Sequence, residues 1–222
     1  MRKLSYSVAL ILGVLMLVLP AAPAAAQPLP QDVITVSSGS AAPGTTINIP
    51  VFIRDTSGTP LGIDQPPGSR IQSYSIKVDY APGSAVQSIT FTRAGITAPL
   101  TPAFESSPAA PGSISLIDSF AEGTNLIPFT SNAPLPGNQV ANLQVNISAS
   151  ATPGVITLTL DPLLTQLANQ AGTTTETVTN GRLLLVSGAI TITQRGGAPT
   201  LSMWGLILLA VSLAVIAVRF RS

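Results

Sequence analysis

The chain has no cysteine and no histidine, and only 9% of its 222 residues are charged. Without cysteine it has no disulfides, so its stability must come from a hydrophobic core. The thiolate and imidazole ligands of the usual zinc sites are also missing. Cysteine nucleophiles and histidine-dependent triads are therefore excluded. Composition thus favours a binding or structural protein over these enzyme classes, and it implies no cofactor.

The few charges are unevenly distributed along the chain. The full sequence has a net charge of +1. The basic excess belongs to the two ends, because residues 27–197 contain six basic and nine acidic residues, a net charge of −3. Nucleic-acid binding requires a basic surface. The sequence therefore predicts no nucleic-acid partner.

The first 26 residues have the pattern of a signal peptide. Arg2-Lys3 forms a positive start, and 8–19 is an apolar core of 12 residues. That core is too short for a typical membrane span. Small residues follow, and Ala24 and Ala26 are the predicted cleavage-site residues. We expect residues 1–26 to be removed and the protein to be exported.

The last residues have the pattern of a membrane anchor. Residues 201–218 form an uncharged run of 18 residues. As a helix this run would extend roughly 27 Å, enough to cross the hydrocarbon core. The basic tail 219–222 is predicted to stay in the cytoplasm. Residues 196–200 would form a tether between this helix and the preceding domain.

The residues at the start of this run resemble the IPTL-type C-terminal sorting signal of Gram-negative bacteria. That signal consists of Ile-Pro-Thr-Leu, two variable residues, Trp-Gly, an apolar helix and a basic end. The matching residues here are Pro199, Thr200, Leu201, Trp204 and Gly205. Ala198 replaces the isoleucine. The resemblance implies an inner-membrane precursor, processing by an exosortase-like enzyme, and transfer to the cell envelope or surface; a plain membrane anchor is the alternative.

Between the two ends, residues 27–195 are expected to form one domain of short strands. Apolar and polar residues alternate with a period of two, and Pro-Gly turns such as Pro153-Gly154 separate the alternating segments. The pattern predicts an all-β, antiparallel sandwich with long loops at 55–70 and 92–111. Pro50 indicates an edge or bulged strand. The nine predicted strands are 33–36, 47–53, 74–80, 86–91, 113–117, 143–147, 156–160, 182–186 and 189–192.

One segment instead has the pattern of a short helix. Asp161 would cap it, and a proline suited to the first turn follows. Leu163, Leu164 and Leu167 would share one face, and Gly172 would end the helix. The sequence therefore predicts a single short helix after the seventh strand.

Several of these segments, in this order, resemble those of a cohesin domain. A Pro-Gly turn leads into the strand 45–51, and a later strand ends in Tyr80-Ala81-Pro82, where the family has Tyr-Asp-Pro. Ala81 thus lacks a turn-stabilising carboxylate. A strand, Ala151-Thr152-Pro153-Gly154, another strand, and a closing Gly188-Ala189-Ile190 follow. The resemblance covers residues 32–194 and implies a nine-stranded antiparallel jelly-roll sandwich.

The cohesin resemblance also implies a partner. Cohesins bind a dockerin, a small calcium-loaded helical protein, on one sheet face, using outward polar residues of the Tyr-Asp-Pro strand. The matching outward residues here are Ser73, Ser75 and Lys77. Serine replaces the acidic or amide groups that are frequent in the family. The alternative is that these are merely solvated strand positions.

Other functions remain as alternatives. A structural or adhesive surface or matrix protein would fit the low charge. A carbohydrate-binding module would need exposed aromatic side chains, and aromatics make up only 5% of the chain. A glycoside hydrolase would need two carboxylates across a cleft; we interpret Asp118 and Glu122 as structural or solvated instead. Calcium could bind loop carboxylates such as Asp55 and Asp64, although their spacing matches no recognised calcium loop.

Overall fold

The computed structural model describes residues 28–194. The predicted signal peptide, tether, sorting motif, membrane helix and basic tail lie outside the described residues. Within 28–194, none of the helices has the length and hydropathy of a membrane span.

The described part of the chain consists mainly of strands, with 3₁₀ turns at Gly83–Ala85 and Gly95–Thr97. Fourteen strands lie in this range: β1 (Asp32–Val36), β2 (Gly39–Ala41), β3 (Thr46–Arg54), β4 (Ser73–Ala81), β5 (Val86–Arg93), β6 (Phe104–Ser106), β7 (Ala109–Ala110), β8 (Ser113–Ser119), β9 (Asn138–Ile147), β10 (Gly154–Leu160), β11 (Gln166–Ala168), β12 (Thr175–Glu176), β13 (Leu183–Val186) and β14 (Gly188–Ile192).

These strands form two sheets packed face to face. One sheet has five strands in the order β13-β1-β3-β9-β5. The second contains the path β12-β11-β4-β10-β14-β2, and β8 pairs with β4, with β6 and β7 beyond it. Alternate residues of each long strand are buried between the sheets, as in β4, where Tyr74, Ile76 and Val78 face the core. The predicted all-β sandwich is confirmed.

All nine predicted strands are present, and most of their pairings are antiparallel, as predicted. Two pairings are parallel: β1 with β13, and β2 with β14. The chain crosses from the first sheet to the second between β1 and β2, and again between β13 and β14. The two crossings lie side by side and run in the same direction, so the strands before them pair in parallel and so do the strands after them. The five strands that were not predicted have only two or three residues each, too few to show an alternating pattern.

Of the two alternatives predicted for Pro50, the edge strand is wrong and a bulge is found next to it, and the predicted second loop needs correction. Pro50 lies in β3, at the centre of the five-stranded sheet and not at its edge. Its carbonyl accepts the Ser37 N–H at 3.0 Å, but proline has no N–H to return this bond, and the β1–β3 pairing ends one residue earlier, at Val36 and Val51. A bulge does occur beside it, between Val51 and Phe52. The predicted loop 92–111 contains a 3₁₀ turn and two short strands that extend the edge of β8.

The predicted helix after Asp161 is wrong. Residues 162–164 form a turn, and the chain then continues as β11. Leu167 is fully buried opposite Tyr74 of β4, whereas Leu163 and Leu164 are exposed. Pairing with β4 prevents a helix, because both β10 and β11 form hydrogen bonds with that strand.

Candidate partner-binding face

The outer surface of the second sheet around β4 carries the residues predicted from the sequence. Ser73, Ser75 and Lys77 alternate with buried residues and point away from the core. In β8 they lie opposite Ser119, Ile117 and Ser115, respectively, which continue the same surface. The structure therefore places the three predicted residues together on one flat, mostly hydroxyl-bearing face. Their role in binding a partner stays a prediction.

The sequence did not reveal the most exposed apolar feature of this face. β10 and β11 run in the same direction along one edge of β4, and residues 161–165 bulge out between them. Two leucines form the tip of this bulge, which we call the leucine turn. Leu163 is 82% exposed and Leu164 is 54% exposed. Together the two leucines form a compact apolar projection on a mostly polar surface.

Asp161 holds the leucine turn in place. Its Oδ1 accepts the N–H groups of Leu163 at 2.8 Å and Leu164 at 3.2 Å. Its Oδ2 accepts a hydrogen bond from Lys77 Nζ at 2.9 Å. The Ser75 hydroxyl donates to the Leu164 carbonyl at 2.9 Å. The turn is thus tied to β4 directly through the Leu164 carbonyl and indirectly through Asp161 and Lys77. A turn fixed in this way would lose less conformational entropy on binding a partner.

The charges on this face form a small network. Lys77 lies between Asp161 and Asp79, whose Oδ1 is 3.5 Å from Lys77 Nζ. The hydrogen bond to Asp161 raises the pKa of Lys77, and the same bond lowers the pKa of Asp161. Both groups therefore stay ionised at neutral pH. The face presents a leucine pair bordered by a paired cation and serine hydroxyls, an arrangement that suits a partner with an apolar anchor and a polar rim.

The hydroxyl groups of the two predicted serines also have internal partners. The Ser73 hydroxyl donates to the Asp118 carbonyl at 3.0 Å, and the Ser75 hydroxyl is used by the leucine turn. Each hydroxyl oxygen keeps lone pairs that can accept a further hydrogen bond. These serines can therefore contribute to recognition, but they also hold neighbouring backbone in position.

The candidate hydrolase carboxylates have structural roles. Asp118 is fully buried, and the Tyr74 hydroxyl donates to its Oδ2 at 2.7 Å. Burial raises the pKa of Asp118 to about 6. Glu122 accepts the Gly68 N–H at 2.8 Å and lies 3.6 Å from Arg70 Nε. Neither carboxylate is arranged for acid–base catalysis on a bound substrate, in agreement with the structural interpretation.

A second group of acids lies beneath the loop between β3 and β4. Asp32 and Glu176 are fully buried, and each raises or lowers the pKa of the other. One oxygen of each carboxyl, Asp32 Oδ2 and Glu176 Oε2, has no other hydrogen-bond partner among the described residues. Asp32 Oδ1 accepts the Thr56 N–H at 2.7 Å, and Glu176 Oε1 accepts the Leu61 N–H at 2.8 Å. Burial is the main reason why the pKa of each carboxyl is raised. The pair therefore holds a proton at neutral pH. Together with the bonds to the Thr56 and Leu61 N–H groups, the pair connects β1 and β12 to the loop.

Comparison with known proteins supports both resemblances. A family model described as the IPTL-CTERM motif matches residues 199–222. None of the curated proteins matches the chain. The sandwich is similar in structure to solved cohesins, although the sequence identity is low.

Three of these structures illustrate the similarity. The sixth cohesin of Acetivibrio cellulolyticus scaffoldin B, in complex with a Cel5 dockerin, is 12% identical with a TM-score of 0.52, covering 73% of this chain and 99% of that chain. A type I cohesin–dockerin complex of Clostridium thermocellum is 14% identical with a TM-score of 0.51, at 73% and 99% coverage. The cohesin CaCohA2 of Clostridium acetobutylicum is 21% identical with a TM-score of 0.50, at 77% and 94% coverage. The chain thus has the cohesin fold.

Proposed function

We propose that this protein is a non-enzymatic binding module, exported and held at the cell envelope, that presents the outer face of β4 to a dockerin-type protein. The fold is that of cohesins, and two of the structures described above are cohesins in complex with dockerins. The observation that carries the proposal within this chain is the leucine turn, fixed to β4 beside Ser75 and Lys77.

The physical basis for binding is a small apolar anchor within a polar surround. Interfaces gain most of their affinity from a few residues that become fully desolvated in the complex. Leu163 and Leu164 offer apolar surface that no other part of the described structure covers. The paired Lys77 and the serine hydroxyls would supply directional contacts at the rim, which favour specificity more than affinity.

The location rests on the two ends of the chain. The IPTL-CTERM motif supports export and association with the envelope of a Gram-negative bacterium. Processing by an exosortase-like enzyme would remove the segment after the motif and transfer the sandwich to the cell surface. The mass of the protein in envelope fractions tests this processing. A mass reduced by the C-terminal segment indicates cleavage, and a mass that includes the segment indicates that it stays in the membrane as an anchor.

Replacing the exposed leucines is expected to abolish most of the binding. The full chain in detergent would be titrated by biolayer interferometry against a panel of purified dockerins. For any dockerin that binds, Leu163→Asp and Leu164→Asp should each weaken the affinity by about 30-fold, which corresponds to about 2 kcal/mol. The reason is that a carboxylate at the anchor would have to lose its water without gaining a partner.

Leu184→Asp is the matched control. Leu184 is 48% exposed, similar to Leu164, but it lies in β13 of the other sheet. The affinity of the Leu184→Asp variant for the dockerin should equal that of the unmodified chain. Equal losses in all three variants would contradict the proposed face.

The alternative is a structural, adhesive or carbohydrate-binding surface protein. Absence of binding to any dockerin in the panel would favour it. A sugar-stacking platform finds little support, because Phe104 is the exposed member of the seven aromatic residues in 28–194, and Tyr74, Phe91, Phe120 and Phe129 are buried. Phe104 lies at the β6 edge, opposite Ser119.

A further inference from the structure

Two acidic side chains converge on the backbone of Gly62, in the loop between β3 and β4. Asp55 Oδ1 and Asp64 Oδ1 lie 2.7 Å and 2.6 Å, respectively, from the position that a Cβ atom of residue 62 would occupy. Any side chain at this position would overlap both oxygens. Glycine therefore leaves a small space that both carboxylates face.

One of these oxygens is buried without a hydrogen-bond partner. Asp55 is fully buried, and its Oδ2 accepts the Ile63 N–H at 2.7 Å. Its Oδ1, which faces the space beside Gly62, accepts no hydrogen bond. Folded proteins rarely leave a buried carboxylate oxygen unsatisfied, so such an atom indicates a missing positive or donor group.

The surroundings of Asp55 add negative charge. The Asp32–Glu176 pair is close enough to act electrostatically on Asp55. The guanidinium of the neighbouring Arg54 donates to the Ala133 carbonyl and the Thr56 hydroxyl, and not to Asp55. A cation placed between Asp55 and Asp64 would therefore meet a favourable potential from several carboxyl groups.

We propose that the space beside Gly62 binds a calcium ion through Asp55 Oδ1 and Asp64 Oδ1. Calcium accepts six to eight oxygen ligands in flexible geometry, so main-chain carbonyls and water can complete a site that has only two carboxylates. Within 28–194 no group of three or more acidic side chains forms a metal site, so oxygens other than carboxylates would have to supply most of the ligands. Such sites in extracellular modules bind calcium with dissociation constants of about 10⁻⁴–10⁻³ M. This range suits an exported protein.

The bound ion would fix a loop that already connects distant parts of the sandwich. Residues of this loop bond to Glu176 of β12 through the Leu61 N–H, and to Asn169 through the Gly68 carbonyl at 2.8 Å. Calcium that binds only the folded chain raises its stability by mass action. The inference concerns this loop and does not depend on the partner-binding face.

The test is a calcium titration of the full chain in detergent, first freed of metal with EDTA and dialysed. Calorimetry with CaCl₂ should give a dissociation constant of about 10⁻⁴–10⁻³ M. Addition of 10 mM CaCl₂ should raise the Tm by about 3–10 °C. Asp64→Asn should weaken calcium binding by at least about tenfold and remove most of the Tm increase, since it deletes one of two anionic ligands.

Glu105→Gln is the control, because it removes an exposed acidic charge from β6 and should leave the calcium response unchanged. Asp64 is itself exposed, so its variant should fold. Three results would overturn the proposal: no heat and no Tm change up to 10 mM CaCl₂, the same Tm increase in Asp64→Asn, or an equal increase with MgCl₂. No dockerin is present, so failure here leaves the proposed function untouched.

Discussion

Gly188→Ala is expected to lower the free energy of unfolding by about 3 kcal/mol, the upper end of the range for overpacked sites. A Cβ atom at residue 188 would lie 2.2 Å from the Ser37 carbonyl oxygen and 2.6 Å from that of Val36. Both obstacles are backbone atoms, which cannot rotate away as a side chain can. They belong to the point where the chain crosses from β1 to β2, next to the crossing from β13 to β14. The new methyl group must therefore push the two crossings apart.

Gly154→Ala provides the comparison for this prediction. Gly154 also begins a strand of the second sheet, but the atom nearest to its hypothetical Cβ is the Thr152 carbonyl oxygen at 3.9 Å. Gly154→Ala should therefore change the free energy of unfolding by no more than about 0.5 kcal/mol. Urea titrations followed by circular dichroism measure both variants. Similar stabilities of the two variants would show that the crossings do not pack as closely as described.

The free energy of unfolding is also expected to fall as the pH rises above about 5, by up to about 1.4 kcal/mol per pH unit. The cause is the proton held between Asp32 and Glu176. Burial raises the folded-state pKa of both carboxyls above their ordinary values of 3.8 and 4.5. The folded chain therefore binds a proton that the unfolded chain releases. The resulting stabilisation is complete below pH about 4 and is lost as the pH rises towards the folded-state pKa of Asp32, about 10.

Glu176→Gln should reduce this pH dependence without unfolding the protein, because it removes the contributions of Glu176 to the raised pKa of Asp32 and leaves mainly that of burial. The amide oxygen can accept the Leu61 N–H, and the amide nitrogen can donate to Asp32. Denaturant unfolding between pH 5 and 9, with a chelator present, measures the slope. A slope that remains at lower pH would belong to Asp118 or Asp55, because burial also raises the pKa of each of these carboxyls. If the variant kept the full slope at pH 7–9, the Asp32–Glu176 pair would not be its source.

The strands of this protein could be predicted because each long strand has one buried and one exposed face. In β4 and β10 the alternation of polar and apolar residues follows this burial directly. The same alternation placed Ser73, Ser75 and Lys77 on the outer face. Alternation within a strand does not report its neighbours, and so the position of Pro50 in a central strand was not foreseen.

The leucine turn shows where local patterns fail. Leu163, Leu164 and Leu167 have helical spacing, and Asp161 is a good cap, so the local sequence favours a helix. In the structure Asp161 does cap, through Leu163 and Leu164, but only for a single turn. The long-range pairing of β11 with β4 competes with the helix and prevails. The exposure of the two leucines follows from that pairing and could not be read from their own segment.

The buried acids could not be predicted for a related reason. Carboxylates are usually solvated, and Asp32 and Glu176 are 144 positions apart in the sequence. They meet because the loop between β3 and β4 closes over β1 and β12. The unpartnered oxygen of Asp55 likewise depends on the path of this loop around Gly62. Sequence analysis named Asp55 and Asp64 as possible calcium ligands, but only the folded loop shows that they face one space.

The position of Lys77 decides how the protein can be attached to surfaces or dyes. The sequence contains only two lysines, Lys3 and Lys77, and Lys3 belongs to the predicted signal peptide. Amine-reactive reagents would therefore modify the mature chain at its N-terminal amine and in the middle of the candidate binding face. The ion pair with Asp161 keeps the Lys77 amine protonated, and a protonated amine is not a nucleophile. Coupling at mildly acidic pH would then favour the N-terminal amine and leave the leucine turn free.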